Sequence, residues 1–521
     1  MSIQMSVSLD GLSDATLIYA STLRAVARVS KPTALKIIEE LEEQRSSLKL
    51  IASENYSSIN CQAAMANLLT DKYAEGVPFR RYYSGCAQVD SIEDDAREKA
   101  KRLFASDHAY VQPHSGADAN LIAFWAILHE YVGKPYLGSI GRKSILDATA
   151  EELSELRKLF GNQRLLAMDY ACGGHLTHGY RMNVSSQMFE AHSYEVRRDT
   201  GLLDYDLILE KAKAVRPLIL LAGYSSYPRK INFRIMREIA NSVGAVLMVD
   251  MAHFAGLVAG GAFENDFNPI TFADIVTTTT HKTLRGPRGG LVLCKAHLKN
   301  IVDKGCPLVM GGPLPHVIAA KAVAFSEALH PSFSIYAKQI IENATILATR
   351  CMENGLQVAT QGTDNHMVII DVRNFSITGK QAEDAMRSCG IALNRNSIPF
   401  DPERPEYTSG LRLGTPALTT LGMREQEMRE IADIVSQILR GTKRGYDEIA
   451  KKGQASKDNT HDVATTERTL SKKEHILDPQ TKVICREKVR QLLSQYQLYP
   501  SLDLVVVRNV VDSVSEATDG Q

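Results

Sequence analysis

Lys282 ends the run Ile275-Val276-Thr277-Thr278-Thr279-Thr280-His281-Lys282 and opens the turn Thr283-Leu284-Arg285-Gly286-Pro287-Arg288-Gly289-Gly290. β-Branched residues of this kind build a strand, so one lysine is delivered to a strand end. Arg285 and Arg288 stand close by, and neighbouring cations disfavour the ammonium. A lysine that gives up its proton easily suits Schiff-base chemistry with an aldehyde. Other reactive side chains sit at comparable places. Asp250 closes the apolar run Val246-Leu247-Met248-Val249, with His253 just beyond it. Ser115-Gly116 follows the short run 108–111 and opens an apolar helix. A serine and a free backbone N–H at a helix start can seat a phosphate. Cys172-Gly173-Gly174-His175-Leu176-Thr177-His178-Gly179 presents a histidine on a glycine-hinged loop. Cys172, His175 and His178 resemble half a zinc site, but no second half follows, so no metal is expected. Arg412 lies among small residues in Ser409-Gly410-Leu411-Arg412-Leu413-Gly414, placed to grip a carboxylate with two hydrogen bonds.

The elements that must position these residues alternate. Residues 218–222 read as a strand, 233–243 as a helix and 244–250 as a buried strand, the βαβ signature of an α/β sheet. Ligands of such sheets bind beyond the carboxyl ends of the strands, where Ser225, Asp250, His253 and Lys282 all fall. A helix is expected at 92–103, a strand at 108–111 and an apolar helix at 121–128. Residues 129–168 read as extended and partly helical, with no evident chemistry. Beyond about 330 the pattern becomes α+β: helix 334–354, strand 366–371, helix 380–389. Two helices are expected in the first 60 residues, the second at about 32–48. Residues 441–475, polar and lysine-rich, read as a flexible linker, followed by a helix near 481–495 and a short apolar tail. Together these groups suit one cofactor. Lys282 would form the Schiff base, Asp250 would keep a pyridine nitrogen protonated, His175 would stack on the ring, and Ser115 with Gly116 would bind a phosphate. That is the arrangement that pyridoxal phosphate requires.

Composition narrows the class. The 521 residues carry 60 basic and 60 acidic side chains, which gives no electrostatic case for nucleic acid or an anionic membrane. No apolar run approaches the roughly 18–20 residues of a membrane span. Eight scattered cysteines read as reduced thiols, and no secretory signal is evident, so a cytoplasmic location is expected.

Nine motifs carry a specific resemblance: IASENY (51–56), KYAEG (72–76), RYYSG (81–85), QPHSGADAN (112–120), GGHLTHG (173–179), VDMAHFAGLVAGG (249–261), VTTTTHKTLRGPRGG (276–290), GTDNH (362–366) and TSGLRLGTPA (408–417). Long motifs in this order resemble the serine hydroxymethyltransferase family. The resemblance implies a fold-type-I α/β protein with a mixed, mostly parallel seven-stranded sheet and a smaller α+β C-terminal domain. The divisions expected are an arm over 1–60, a large domain over 61–330 and a small one over 331–521. It implies reversible conversion of L-serine and tetrahydrofolate to glycine and 5,10-methylenetetrahydrofolate on pyridoxal 5'-phosphate. A folate-independent aldolase or racemase for small amino acids is the alternative.

By the same resemblance Lys282, Glu75 and His281 are catalytic. Tyr73, Ser115, Gly116, His175, Ser225, Asp250, His253, Thr279 and Gly312 hold the cofactor. Ser53, Tyr83 and Arg412 bind the amino acid, while Glu75, Tyr82, Tyr170, Gly174, Leu176 and Asn396 meet folate. Tyr73, Glu75, Tyr83 and the Gly311-Gly312 pair would reach in from a neighbouring subunit, which implies a homodimer or a tetramer built from it. The sequence departs from the family pattern at Ala117, Tyr170, Met310 and Glu406, and about thirty extra residues precede GGHLTHG.

Overall fold

A computed structural model describes residues 11–450 and 466–515. Its centre is a seven-stranded sheet of β1 (His108–Tyr110), β2 (Arg164–Met168), β3 (Glu190–Tyr194), β4 (Ile219–Gly223), β5 (Val246–Asp250), β6 (Ile275–Thr279) and β7 (Gly290–Cys294). The spatial order is β1-β7-β6-β5-β4-β2-β3. β7 runs antiparallel to both neighbours, and the other pairs are parallel. Every residue of β4, β5 and β6 is buried, as strands covered on both faces must be. Their short apolar runs end together, and that shared edge is where the reactive residues collect.

Three strands of this sheet, β2, β3 and β7, were not individually expected. β2 lies inside the stretch read as extended and partly helical, directly after the helix Ala150–Gly161. β3 has the polar sequence Glu-Ala-His-Ser-Tyr and takes the sheet's edge, so it lacks the apolar run that marks a buried strand.

At the N-terminus the two expected helices run end to end as α1 (Asp14–Ser46). It kinks at Ser30 (φ −147°), two residues before Pro32, which has no N–H to continue the ladder. The tail proves to be helical. α2 (Leu504–Asp512) lays Val507, Val510 and Val511 against Ala20, Leu23 and Ala27 of α1. The Arg45 guanidinium secures this docking on the carbonyls of Leu498, Tyr499 and Leu502 at 2.7–2.9 Å.

A second sheet, wholly antiparallel, joins Gln357–Val358, Met367–Asp371, Gly410–Gly414 and Asn394–Asn396 in that order. The helix Pro331–Glu353 serves both cores. Phe333, Tyr336, Ala337 and Ile340 pack under the large sheet, and Leu347, Ala348 and Cys351 under the small one. In place of the expected linker, Thr442–Ala450 and Thr466–Leu477 pair as an antiparallel hairpin; residues 451–465 lie outside those described. The hairpin is made by its backbone ladder and by Gln381, whose amide donates to the Ser471 and Glu474 carbonyls. Neither device leaves an apolar alternation to read.

Candidate active site

A cavity of about 730 Å³ opens between the two sheets at the carboxyl edge of β4, β5 and β6. Lys282, three residues past β6, lines it, with Nζ donating to Thr279 Oγ1 at 3.4 Å. Burial is the main reason that its pKa falls to about 8, helped by Arg412 and Arg288 and opposed by Asp250. At pH 7.5 roughly a quarter of such a lysine is the free amine, against about one in a thousand at the ordinary value. The expectation for Arg285 fails. Its guanidinium sits 4.5 Å above the Tyr336 ring instead.

Asp250, at the end of β5, is buried. Its Oδ2 accepts from Asn120 Nδ2 (2.9 Å) and His178 Nε2 (3.0 Å), and Oδ1 from the Ala252 N–H (3.0 Å). Burial alone would raise this carboxyl. The hydrogen bonds from His178 and Asn120 outweigh it and hold the group far below the usual carboxylate range. His178 Nδ1 accepts the His175 N–H at 3.3 Å, which leaves the proton of the neutral ring on Nε2, facing Asp250. The result is a fixed anion at the cavity wall.

His175 lines the cavity. Its Nδ1 accepts the Thr177 N–H (3.2 Å), and burial with the neighbouring His178 brings its pKa to about 4, so the ring is neutral and free to stack. Ser115 caps the helix Gly116–Leu128, accepting the Asp118 N–H at 3.1 Å. A Cβ on Gly116 would meet Thr279 Cγ2 at 2.7 Å, so glycine brings the helix end flush against the lysine strand. His253 Nδ1 lies 3.2 Å from His366 Nε2. Burial lowers the His281 pKa to about 3, and its buried Nδ1 has no partner among the described residues.

From the second sheet comes Arg412, which donates to the Ser225 carbonyl (2.6 Å) and to Asn394 Oδ1 (3.2 Å). Burial brings its pKa to about 10, so it stays cationic. Ser53, Gly174, Leu176, Tyr170 and Asn396 line the same cavity, as does Ala117; Glu406 does not.

Five expected residues lie away from it. Tyr73, Glu75, Tyr82, Tyr83 and Gly312 belong to a separate surface patch, where the rings of Tyr73 and Tyr83 are 4.7 Å apart and the Tyr73 hydroxyl is 3.4 Å from Glu75 Oε1. A Cβ on Gly312 would meet the Tyr73 ring at 3.6 Å. Tyr73 is 56% exposed, Tyr82 73% and Tyr83 45%, which is unusual for so many aromatic rings in one place.

The sequence did not disclose Asn120 and His178 as partners of Asp250, nor Asn55, whose amide donates to the Lys282 carbonyl at 2.9 Å. Cys172 turns into the hydrophobic core, away from any metal set. His175, His178 and Asp250 do bring ligand atoms within 4.8 Å of one another, but these are the groups already joined by hydrogen bonds.

The donor set fits an aldehyde that carries a pyridine ring and a phosphate: an amine, a buried anion, a neutral ring to stack, and a helix end with glycine. Fold and site together define a fold-type-I pyridoxal phosphate transferase. The family described as "Serine hydroxymethyltransferase" matches residues 28–134 and 157–435. The chain belongs to that family, which uses pyridoxal phosphate and folate generally. Relatives of that name include one from Treponema pallidum, 54% identical over 494 residues (95% of this chain, 83% of the relative). Others come from Salinispora tropica, 50% identical over 486 residues (93% and 98%), and Chlamydia muridarum, 49% over 491 residues (94% and 95%). The unmatched residues between 134 and 157 fall within the stretch before GGHLTHG where the extra residues were expected.

Proposed function

We propose that the cavity binds pyridoxal 5'-phosphate and L-serine and passes the serine hydroxymethyl carbon to tetrahydrofolate, giving glycine and 5,10-methylenetetrahydrofolate reversibly. What carries this reading is the placement of Asp250 at the end of β5 and Lys282 just beyond the neighbouring parallel β6, facing a cavity that Arg412 enters from the opposite sheet. When bound, the cofactor supplies an aldehyde for Lys282 and an electron-withdrawing ring. Asp250 holds a proton on the ring nitrogen, His175 covers one ring face, and Ser115 with the Gly116 N–H takes the phosphate. Ser225, His253, Thr279 and His281 complete the walls around the ring. Arg412 binds the serine carboxylate with Ser53 beside it. Glu75 moves the proton at the serine hydroxyl oxygen, and Tyr170, Gly174, Leu176 and Asn396 border the folate.

Glu75, Tyr73, Tyr82, Tyr83 and Gly312 would serve the cavity of a second copy, which makes the working unit a homodimer or a tetramer of such pairs. Their exposed rings support that reading, since a second subunit would bury them. The eight cysteines are all free and buried, which suits the reducing cytoplasm, and among the described residues no helix is long and apolar enough to cross a membrane.

A mixed dimer tests the shared site. Lys282→Ala and Glu75→Gln subunits should each be inactive alone. Co-expressed, they should recover about a quarter of wild-type activity, because half the dimers are mixed and each of these has one intact site. No recovery would place Glu75 outside the partner's cavity.

Cofactor capture should also report the lysine. Only the free amine attacks the aldehyde, so the rate at which the apoenzyme takes up pyridoxal phosphate should rise with pH and level off above about 8. Stopped-flow absorbance reads this directly. A midpoint near 10.5 would mean that Lys282 titrates as an ordinary lysine.

A further inference from the structure

Lys321, on the helix Pro315–Ala328, is 1% exposed and takes no part in the chemistry above. Its Nζ donates to the carbonyls of Val111 (2.6 Å), Pro113 (3.0 Å) and Gly290 (2.9 Å). All three ammonium hydrogens are thereby used, and no carboxylate is among its hydrogen-bond partners in the described residues. A buried charge without a counter-ion is costly, and fully buried lysines are almost always paired. Burial pushes this one down to about 7, with Glu93 and Asp118 pulling back from a distance.

The three carbonyls explain what the charge could serve. Val111 and Pro113 lead from β1 straight into Ser115-Gly116, and Gly290 closes the loop that carries Lys282. The two backbones touch: the Gly290 N–H donates to the Pro113 carbonyl at 2.9 Å, and a Cβ on Gly290 would stand 2.1 Å from the Ser115 carbonyl oxygen. On the lysine loop itself, a Cβ on Gly289 would meet Lys321 Cε at 2.5 Å. Lys321 therefore fastens the phosphate seat to the lysine loop, and Ala117 offers that seat no hydroxyl of its own.

We propose that Lys321 is a positioning residue for the cofactor phosphate, holding the Ser115-Gly116 seat at a fixed distance from the Lys282 loop and lending it a buried positive charge. This rests on the reading of the cavity as a pyridoxal phosphate site. The phosphate dianion in turn adds to the distant counter-charge of Glu93 and Asp118.

The test compares two aldehydes on the apoenzyme by absorbance titration, pyridoxal 5'-phosphate and pyridoxal, which lacks the phosphate. Lys321→Met should weaken the phosphorylated aldehyde by about tenfold or more, the scale of one charged interaction, and pyridoxal by less than about threefold. Lys321→Gln, which keeps two donors without the charge, should shift the same ratio and serves if the methionine variant does not fold. A purely structural lysine would weaken both aldehydes alike, so an unchanged ratio in a folded variant overturns the proposal. A wild-type apoenzyme that binds neither aldehyde would instead overturn the cofactor reading beneath it.

Discussion

Replacing Lys282 by alanine should lower serine turnover by at least about a thousandfold, the scale on which removal of a covalent catalyst is felt. Lys282 is the only lysine lining the cavity among the described residues. Arg288 and Arg412, also at its wall, cannot replace it, because a guanidinium does not deprotonate in proteins. The loss should be chemical and not structural. Among the described residues the lysine side chain makes a single hydrogen bond, a long one to Thr279, while Asp250 and the Ser115-Gly116 seat keep all of theirs. The variant should therefore still hold pyridoxal phosphate, more weakly, and borohydride should no longer fix it to the chain. Mass spectrometry of the reduced protein separates the cases. Near-normal turnover, or a borohydride adduct in the variant, would contradict the assignment.

Asp250→Asn should cost nearly as much, about a hundredfold to a thousandfold in kcat, with the cofactor still bound. The change is close to isosteric, and the new amide oxygen can accept from His178 Nε2 as the carboxylate does. What disappears is the charge. Without it the site loses the buried anion that would keep the ring nitrogen protonated, and a bound ring would draw fewer electrons from the substrate. The native carboxyl is held well below its ordinary value by His178 and Asn120. Its depressed value means that its contribution to stability is present above about pH 4, the unfolded value, and is lost as the pH falls further. An acid limb in the rate near pH 6–7 thus belongs to another group. A variant with unchanged kcat would remove Asp250 from the chemistry.

Lys282, Asp250, Ser115, Ser225 and Arg412 were readable because each stands beside or within a short apolar or β-branched strand, and strand ends are where α/β sheets bind ligands. Their partners were not. Asn120 lies 130 residues from Asp250 and His178 lies 72 away, so only the closed sheet brings them together. Lys321 gave no signal in the sequence, since nothing local says that three carbonyls surround it. The edge strand Glu190–Tyr194 and the paired strands Thr442–Ala450 and Thr466–Leu477 escaped for one reason: both are held by backbone ladders in polar sequence, and apolar periodicity is silent there. The docking of Leu504–Asp512 on α1 joins the two ends of the chain, a contact that no window of sequence contains.

The most direct measurement gives the purified holoenzyme L-serine with and without tetrahydrofolate and follows glycine and 5,10-methylenetetrahydrofolate. Rapid glycine formation that requires tetrahydrofolate and yields the methylene product in equal amount is the predicted result. Glycine formed at the same rate without tetrahydrofolate would contradict it and point to a folate-independent aldolase.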